Sequence, residues 1–322
     1  MQPKRRLVAR PPQKAQPTRV RRSPKRSSVS RRRSRGKKFF LCMLFVLAIA
    51  IVYNLAGDRL FNRGDVIVLA DGQIMVSFID VGQGESTLIR SSDNAILIDG
   101  GEHSARSTVL NYLRNAGIQR LCYVVATHPH SDHIGGLTAV LGRVEVGGVI
   151  MPDVTHDTPT FENFLAAIEN NDIPVIIPQP RDVITAGIID LVVVAPPSPH
   201  PGAYDNLNNA SIVLRLVHGR RSFLFTGDAE SELETWMIQS GITLSSDVLQ
   251  VGHHGSRTST SELFLDAVNP RIAVISLGAN NRHGHPHPDV TDRLITRQIG
   301  ILRTDQQGTI RMLSDGAEIF MQ

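Results

Sequence analysis

The decapeptide THPHSDHIGG, Thr127 to Gly136, follows directly on the apolar run Leu121 to Ala126. A short apolar run bounded by polar turn residues reads as a buried strand. The strand therefore ends in His128, His130, Asp132 and His133, three imidazoles and a carboxylate within six residues. Histidines that only satisfy a loop's backbone have no need of this density. Imidazole and carboxylate together suit Zn²⁺, or Mn²⁺ where oxygen ligands dominate. His128 and His130 alternate and can converge on one cation, while Asp132 and His133, turned at the loop end, can reach a second. Whatever fold the chain adopts must bring more ligands to this strand end.

Other segments offer them. Eight of the 12 histidines lie in three short clusters, each just after an expected strand. The run RRSFLFTGD delivers Asp228; VGHHGSRTS presents His253 and His254; HGHPHP presents His283, His285 and His287. A TGD tripeptide alone is more often a turn, and its weight here comes from its neighbours. Side chains at strand C-terminal ends gather along one sheet edge, where loop-borne sites collect.

Charge divides the chain. Of 34 basic residues, 16 lie in positions 1–38, and all 30 acidic residues lie from Asp58 onward, so residues 58–322 carry 18 Arg, no Lys and a formal charge of −12. Residues 1–38 repeat Arg, Lys, Ser and Pro with almost nothing apolar, the composition of a disordered basic tail. Residues 39–57, opening FFLCMLFVLAIAIVY, are uncharged and about as long as a bilayer-spanning helix. We expect an uncleaved single-pass anchor in the cell membrane, its basic tail in the cytoplasm against anionic lipid and its globule outside. Residues 58–73 read as a linker and 74–322 as the globular domain. Two cysteines, Cys42 and Cys122, cannot frame a disulfide scaffold.

Within the globule, Ile74 to Asp80, Thr87 to Arg90 and Ala95 to Ile98 read as strands. Val109, Tyr112, Leu113 and Ala116 fall at helical spacing before Gly117. Thr158-Pro159 signals a second helix with Phe161, Phe164, Leu165 and Ile168 on one face. Ser211 to Val217 and Arg221 to Thr226 read as a hairpin, followed by a helix from Glu230. Asp247 to Val251, Ile272 to Leu277 and Thr309 to Met321 read as further β segments. Strands bunch before helices, which predicts two sheets covered by helices rather than a strict βαβ repeat.

The runs FIDVGQGESTLI, LIDGG, THPHSDHIGG, NNASIVLRL, FLFTGD, DVLQVGHHGS and GANNRHGHPHP occur in the order seen in the metallo-β-lactamase-fold domain of the ComEC family of DNA-uptake proteins. The resemblance spans roughly Ile74 to Leu313. It implies an α/β fold, the αββα metallo-β-lactamase-like sandwich, with a dinuclear metal site and a hydrolase that attacks phosphodiesters. By that likeness His128 and His130 resemble the ligands of one metal, Asp132 and His133 those of the other, and Asp228 the bridging carboxylate. Most such folds place another His before the TGD segment, where this chain has Asn208-Asn209-Ala210-Ser211. His253 or His254 then completes the shell, or His285 does so, or His285 contacts substrate. Asp99 is expected to orient a ligand histidine.

The chain departs from the family pattern at Glu85, where Asp is usual, and at Arg282-His283, where Tyr is common; both are expected to alter rim contacts. With a single expected span, a role as a DNA channel does not carry over. The absence of a G-x-S-x-G elbow argues against a serine hydrolase. The expected function is a membrane-anchored, two-metal phosphodiesterase acting on DNA through a metal-bridging hydroxide. Asp132 is expected to orient that hydroxide. Asn208, Asn209, Ser211, Ser256, Arg257 and His285 are the candidate substrate contacts, His285 or Arg257 stabilising charge on phosphorus. The alternatives are another phosphodiester, such as phosphorylcholine or a cell-wall polymer linkage, and a noncatalytic DNA-capture module.

Overall fold

The computed structural model describes residues 67–197 and 206–322. The expected tail and span lie outside the described residues, as does Cys42. Among the described residues no helix is long and apolar enough to cross a membrane.

Alternating apolar residues build the strands, and among the described residues two large sheets result beside a short two-stranded pair. The first half of the chain gives β1 (Ile74–Phe78), β2 (Thr87–Arg90), β3 (Ala95–Ile98), β4 (Arg120–Leu121), β5 (Tyr123–Val125), β6 (Glu145–Val146), β7 (Val149–Ile150) and β8 (Val175–Ile176). The second half gives β9 (Val183–Ala186), β10 (Ile189–Ala195), β11 (Val213–His218), β12 (Arg221–Phe225), β13 (Val248–Gln250), β14 (Ile272–Ile275), β15 (Gly300–Arg303), β16 (Ile310–Ser314) and β17 (Ile319–Met321). One sheet has eight strands in the order β17-β16-β1-β2-β3-β5-β7-β8, the other seven in the order β15-β14-β13-β12-β11-β10-β9. The closing hairpin β16-β17 returns to β1, so the C-terminus completes the N-terminal sheet.

The layers follow from which side of each strand is apolar. Ile74, Val76, Phe78, Ile89, Ile96 and Ile98 face Leu191, Val193, Leu214, Leu216, Phe223 and Phe225 in a buried core between the sheets. The opposite face of the first sheet packs under α1 (Arg106–Asn115), α2 (Ser131–Ile134), α3 (Leu137–Leu141) and α4 (Pro159–Asn170) through Val109, Leu113, Ile134, Leu137, Phe161 and Phe164. The outer face of the second sheet packs under α5 (Ser231–Gln239), α6 (Glu262–Val268) and α7 (Pro288–Thr296) through Leu233, Met237, Phe264, Leu265, Val290 and Leu294. This is the αββα sandwich.

The sequence signals hold with local exceptions. Thr158 caps α4, its hydroxyl accepting from the Phe161 amide at 3.4 Å, with Pro159 in the first turn. Leu165 does not share the buried face: it is 40 % exposed, because it falls at the flank of the stripe made by Phe161, Phe164 and Ile168. The run Leu121 to Ala126 is two strands rather than one, β4 pairing with β6 and β5 with β3 and β7. The stretch read as linker does not end at Gln73 as free chain: Leu69 is buried, and the Ile67 carbonyl accepts from Arg90 at 2.6 Å.

Candidate metal centre

Strands β3 and β5 of one sheet and β12 and β13 of the other end at the same edge, so the residues that follow them meet. Asp99 follows β3. Its Oδ1 accepts from the Thr127 amide at 2.9 Å and its Oδ2 from the Thr127 hydroxyl at 2.7 Å, tying β3 to β5. The same Oδ2 lies 2.7 Å from His133 Nδ1. That nitrogen donates to Asp99, so Nε2 is the ring atom that faces inward and the one that can ligate once its own proton is lost. Asp99 is fully buried and holds the left-handed φ of 56°. It orients a histidine from behind, the role expected of it.

Two more imidazoles are fixed the same way. His254 donates from Nδ1 to the Ser276 carbonyl at 2.9 Å, freeing Nε2. His128 turns Nδ1 towards the hydroxyls of Thr127 and Ser211, at 3.1 and 3.4 Å, freeing its own Nε2. His253 and His254 take φ of 50° and 55°, a conformation that costs non-glycine residues on the order of 1–3 kcal/mol each. Such strain aims both rings out of one turn.

The freed atoms converge. His128 Nε2 lies 3.0 Å from His130 Nδ1 and 3.7 Å from Asp228 Oδ2. His254 Nε2 lies 3.3 Å from His133 Nε2 and 3.3 Å from Asp132 Oδ2. Three sets result whose donor atoms lie within 4.8 Å of one another: His128 with His130 and Asp228, Asp132 with His133 and His254, and Glu85 with His133 and Asp228. Asp228 Oδ1 makes no hydrogen bond although buried, with His133 Nε2 at 3.2 Å and His254 Nε2 at 3.5 Å. Inward imidazole nitrogens and an orphaned carboxylate oxygen are the surroundings a cation satisfies, in exchange for the protons of His133 and His254. The residues present fit two divalent ions, one in each histidine-carboxylate set, with Asp228 between them.

The titration of the cluster follows the same need for positive charge. Burial disfavours the charged form of His254, but Asp228 and the hydrogen bond its Nε2 donates to Asp132 raise it to about 9. His133 is likewise buried and is driven well above the usual imidazole range by Asp228 and Asp99. Asp132 lies well below the ordinary carboxylate range, because against its burial His254 hydrogen-bonds it and His133 adds charge. His128, where burial and His133 dominate, is held neutral.

The remaining expected site residues take different places. His253 stands at the mouth, Nδ1 3.0 Å from Glu230 Oε1 and Nε2 3.7 Å from Asp228 Oδ2, outside the convergent sets. His285 is half-buried beside it with ring centroids 5.7 Å apart, its Nδ1 buried without a partner. Burial and the neighbouring His253, His254 and His283 push His285 down to about 4, so it is neutral at pH 7. Asn208 Nδ2 donates to Glu230 Oε1 at 3.0 Å, and Asn209 donates to Glu232 while accepting from the Glu230 amide. Both asparagines brace the start of α5. Ser211 is wholly buried and accepts from the Asp228 amide at 3.0 Å, so it supports the carboxylate from behind. Ser256 is buried and bonds Thr258, while Arg257 is exposed beside it.

Glu85 is not on the rim. It is 1 % exposed, beneath the site, and Oε2 accepts from Gln250 Nε2 at 2.7 Å. Gln250 Oε1 in turn accepts from the amides of Thr226 and Gly227, at 2.7 and 3.1 Å, and so clamps the turn that carries Asp228. Burial and the nearby Asp99 raise Glu85 to about 8, which keeps it a neutral acid at pH 7. Gln250 was open to detection as the one polar residue inside the strand VLQ. Gly84 brings this loop in: a Cβ there would stand 2.2 Å from the Asp132 carbonyl oxygen, and its φ is +115°. Sequence reasoning also passed over His156, whose ring centroid lies 5.6 Å from that of His130.

Residues 79–279 match the profile of the Metallo-beta-lactamase superfamily, and the chain belongs to that superfamily. Within it, the chain is similar to ComE operon protein 3 of Bacillus subtilis (strain 168), 33% identical over 254 residues, covering 73% of this chain and 32% of that protein. It is also similar to competence protein ComA of Neisseria gonorrhoeae, 33% identical over 245 residues, covering 75% of this chain and 32% of that protein. The chain thus spans about a third of the length of these relatives. Among solved structures, the CmlA beta-hydroxylase E377D mutant shares the fold with a TM-score of 0.50 at 17% identity, over 75% of this chain and 53% of that one.

Proposed function

We propose that the chain is a metal-dependent hydrolase that cleaves the phosphodiester bonds of DNA. The observation that carries the reading is the convergence of His128, His130 and Asp228 with Asp132, His133 and His254 at one sheet edge. His128, His130 and Asp228 with Asp132, His133 and His254 would hold two divalent cations, Zn²⁺ by the donor set or Mn²⁺, which would supply Lewis acidity and a water acidified towards neutral pH. The rest falls to the chain. Asp132, ionised and partly exposed, accepts a hydrogen bond from that water and orients it. His285, neutral at pH 7, offers an N–H to a phosphoryl oxygen rather than a positive charge. Exposed Arg257 and Arg282, on the two loops at the mouth, supply the cationic contacts that DNA demands of a globule with a formal charge of −12.

Similarity to competence proteins supports nucleic acid as substrate. The acidic balance of the globule favours a second reading, a small non-nucleic phosphodiester such as a phosphorylcholine or cell-wall linkage, for which no Arg path is needed. Residues 39–57 would anchor the enzyme in the membrane with its domain outside the cytoplasm. The test is to strip the purified chain with chelator, restore Zn²⁺ or Mn²⁺, and compare single-stranded DNA, duplex DNA and a bis-aryl phosphodiester. Metal-restored DNA cleavage is expected. Turnover of the small diester alone favours the second reading, and metal-independent binding of DNA without any cleavage favours a capture module.

A further inference from the structure

At the end of the first sheet away from the metal centre lies a cavity of about 260 Å³ with a mixed polar and apolar lining. Its polar lining is Ser77, Arg90, Tyr112, Asn115 and Arg311, and Ile67, Met75 and Ala116 form an apolar part of its wall. Its two arginines are placed by strand register. Arg90 on β2 stands opposite Met75 of β1, and Arg311 on β16 stands opposite Ser77 of β1. Met75 and Ser77 are two apart and so share a face, which puts both guanidinium groups on that face, one on each side of β1. Helix α1 covers them.

Neither arginine meets a carboxylate among the described residues. Arg90 is only 8 % exposed, and its Nη2 donates to the Ile67 carbonyl. Arg311 donates from Nε to the Tyr112 hydroxyl at 3.1 Å and lies over the Tyr112 ring. Each guanidinium carries five N–H donors in a planar fork, more than these bonds use, and both side chains line the cavity. Two like charges in one partly buried space are costly unless an anion stands between them. The domain around them is acidic overall, yet among the described residues no acidic side chain lines this cavity.

We propose that the Arg90–Arg311 cavity binds a phosphate ester. Paired guanidinium forks match phosphate oxygens, Ser77, Asn115 and Tyr112 add neutral partners, and the volume admits a phosphate with a small substituent. This site does not rest on the hydrolase reading. Its ligand has two sources, a soluble phosphate ester or a phospholipid headgroup.

The experiment uses the full chain in a phosphate-free detergent after chelator treatment, which removes phosphate binding through metal. Thermal unfolding is followed with inorganic phosphate, with glycerol 3-phosphate, and with phosphatidylglycerol in mixed micelles. The controls are an Arg90→Gln, Arg311→Gln double variant and Ser77→Asp, which sets a carboxylate between the arginines while keeping their packing. The parent Tm is expected to rise with the logarithm of ligand concentration, by several degrees at about a hundredfold excess over Kd, while both variants stay flat. Shifts with the soluble anions identify a soluble ester; a shift with phosphatidylglycerol alone identifies a headgroup. Equal behaviour of parent and variants in every arm, or no shift in the parent, overturns the site.

Discussion

Two imidazoles of the centre are set by what lies behind them, Asp99 for His133 and the Ser276 carbonyl for His254. Changing Asp99 to Asn replaces an obligate acceptor with a group that can also donate, so His133 loses its fixed tautomer. Metal affinity is expected to fall about 10–100-fold with the fold retained, measured by competition against a chromophoric chelator. The adjacent pair His253 and His254 should separate cleanly. His254→Ala removes a member of the Asp132-His133 set and is expected to lower metal content by one equivalent and turnover by orders of magnitude. His253→Ala, at the mouth, is expected to keep its metal and alter KM or kcat. Loss of metal from His253→Ala with retention in His254→Ala would reverse the assignment. The histidines and Asp228 were legible because their types and spacing are local to strand ends. Which of two neighbouring imidazoles points inward was not, since that depends on the left-handed turn at His253 and His254.

At the scale of elements, the centre depends on keeping β12, β13 and the β1–β2 loop in register. Gln250 does this by accepting from two amides of the turn before Asp228 and donating to Glu85. Gln250→Ala strands those buried amides, at about 1–3 kcal/mol for each group left unmade. A lowered Tm together with weaker metal retention is expected, whereas Gln179→Ala, on an exposed loop, should change neither. Unchanged metal affinity in Gln250→Ala would show that the Asp228 turn holds itself. The strands and helix caps around this linkage were readable from periodicity, as with Thr158-Pro159 and the α1 stripe. Glu85 was misread as a rim residue because its burial comes from the packing of one sheet's loop against the other sheet's strand, which no local pattern records. The hairpin β9-β10 carries the same lesson: its outer strand is half exposed, with Val183 at 56 %, so its pattern is weak.

At the scale of the whole molecule, the chain joins a basic N-terminal stretch and an apolar run to an acidic metal-binding domain. If residues 39–57 are an anchor, the protein should sediment with membranes through alkaline carbonate washing, and protease added to spheroplasts should digest the domain. Extraction into the soluble fraction, or complete protection, contradicts the anchor or its orientation. The central claim is that one sheet edge holds two cations through sets that share Asp228 as neighbour. Elemental analysis of the parent and of Asp228→Ala, both loaded with Zn²⁺ and desalted, tests it most directly. About two equivalents in the parent and one or fewer in the variant is the expected result. A parent that retains no metal, or an Asp228→Ala protein that keeps the parent's full complement, would contradict the account.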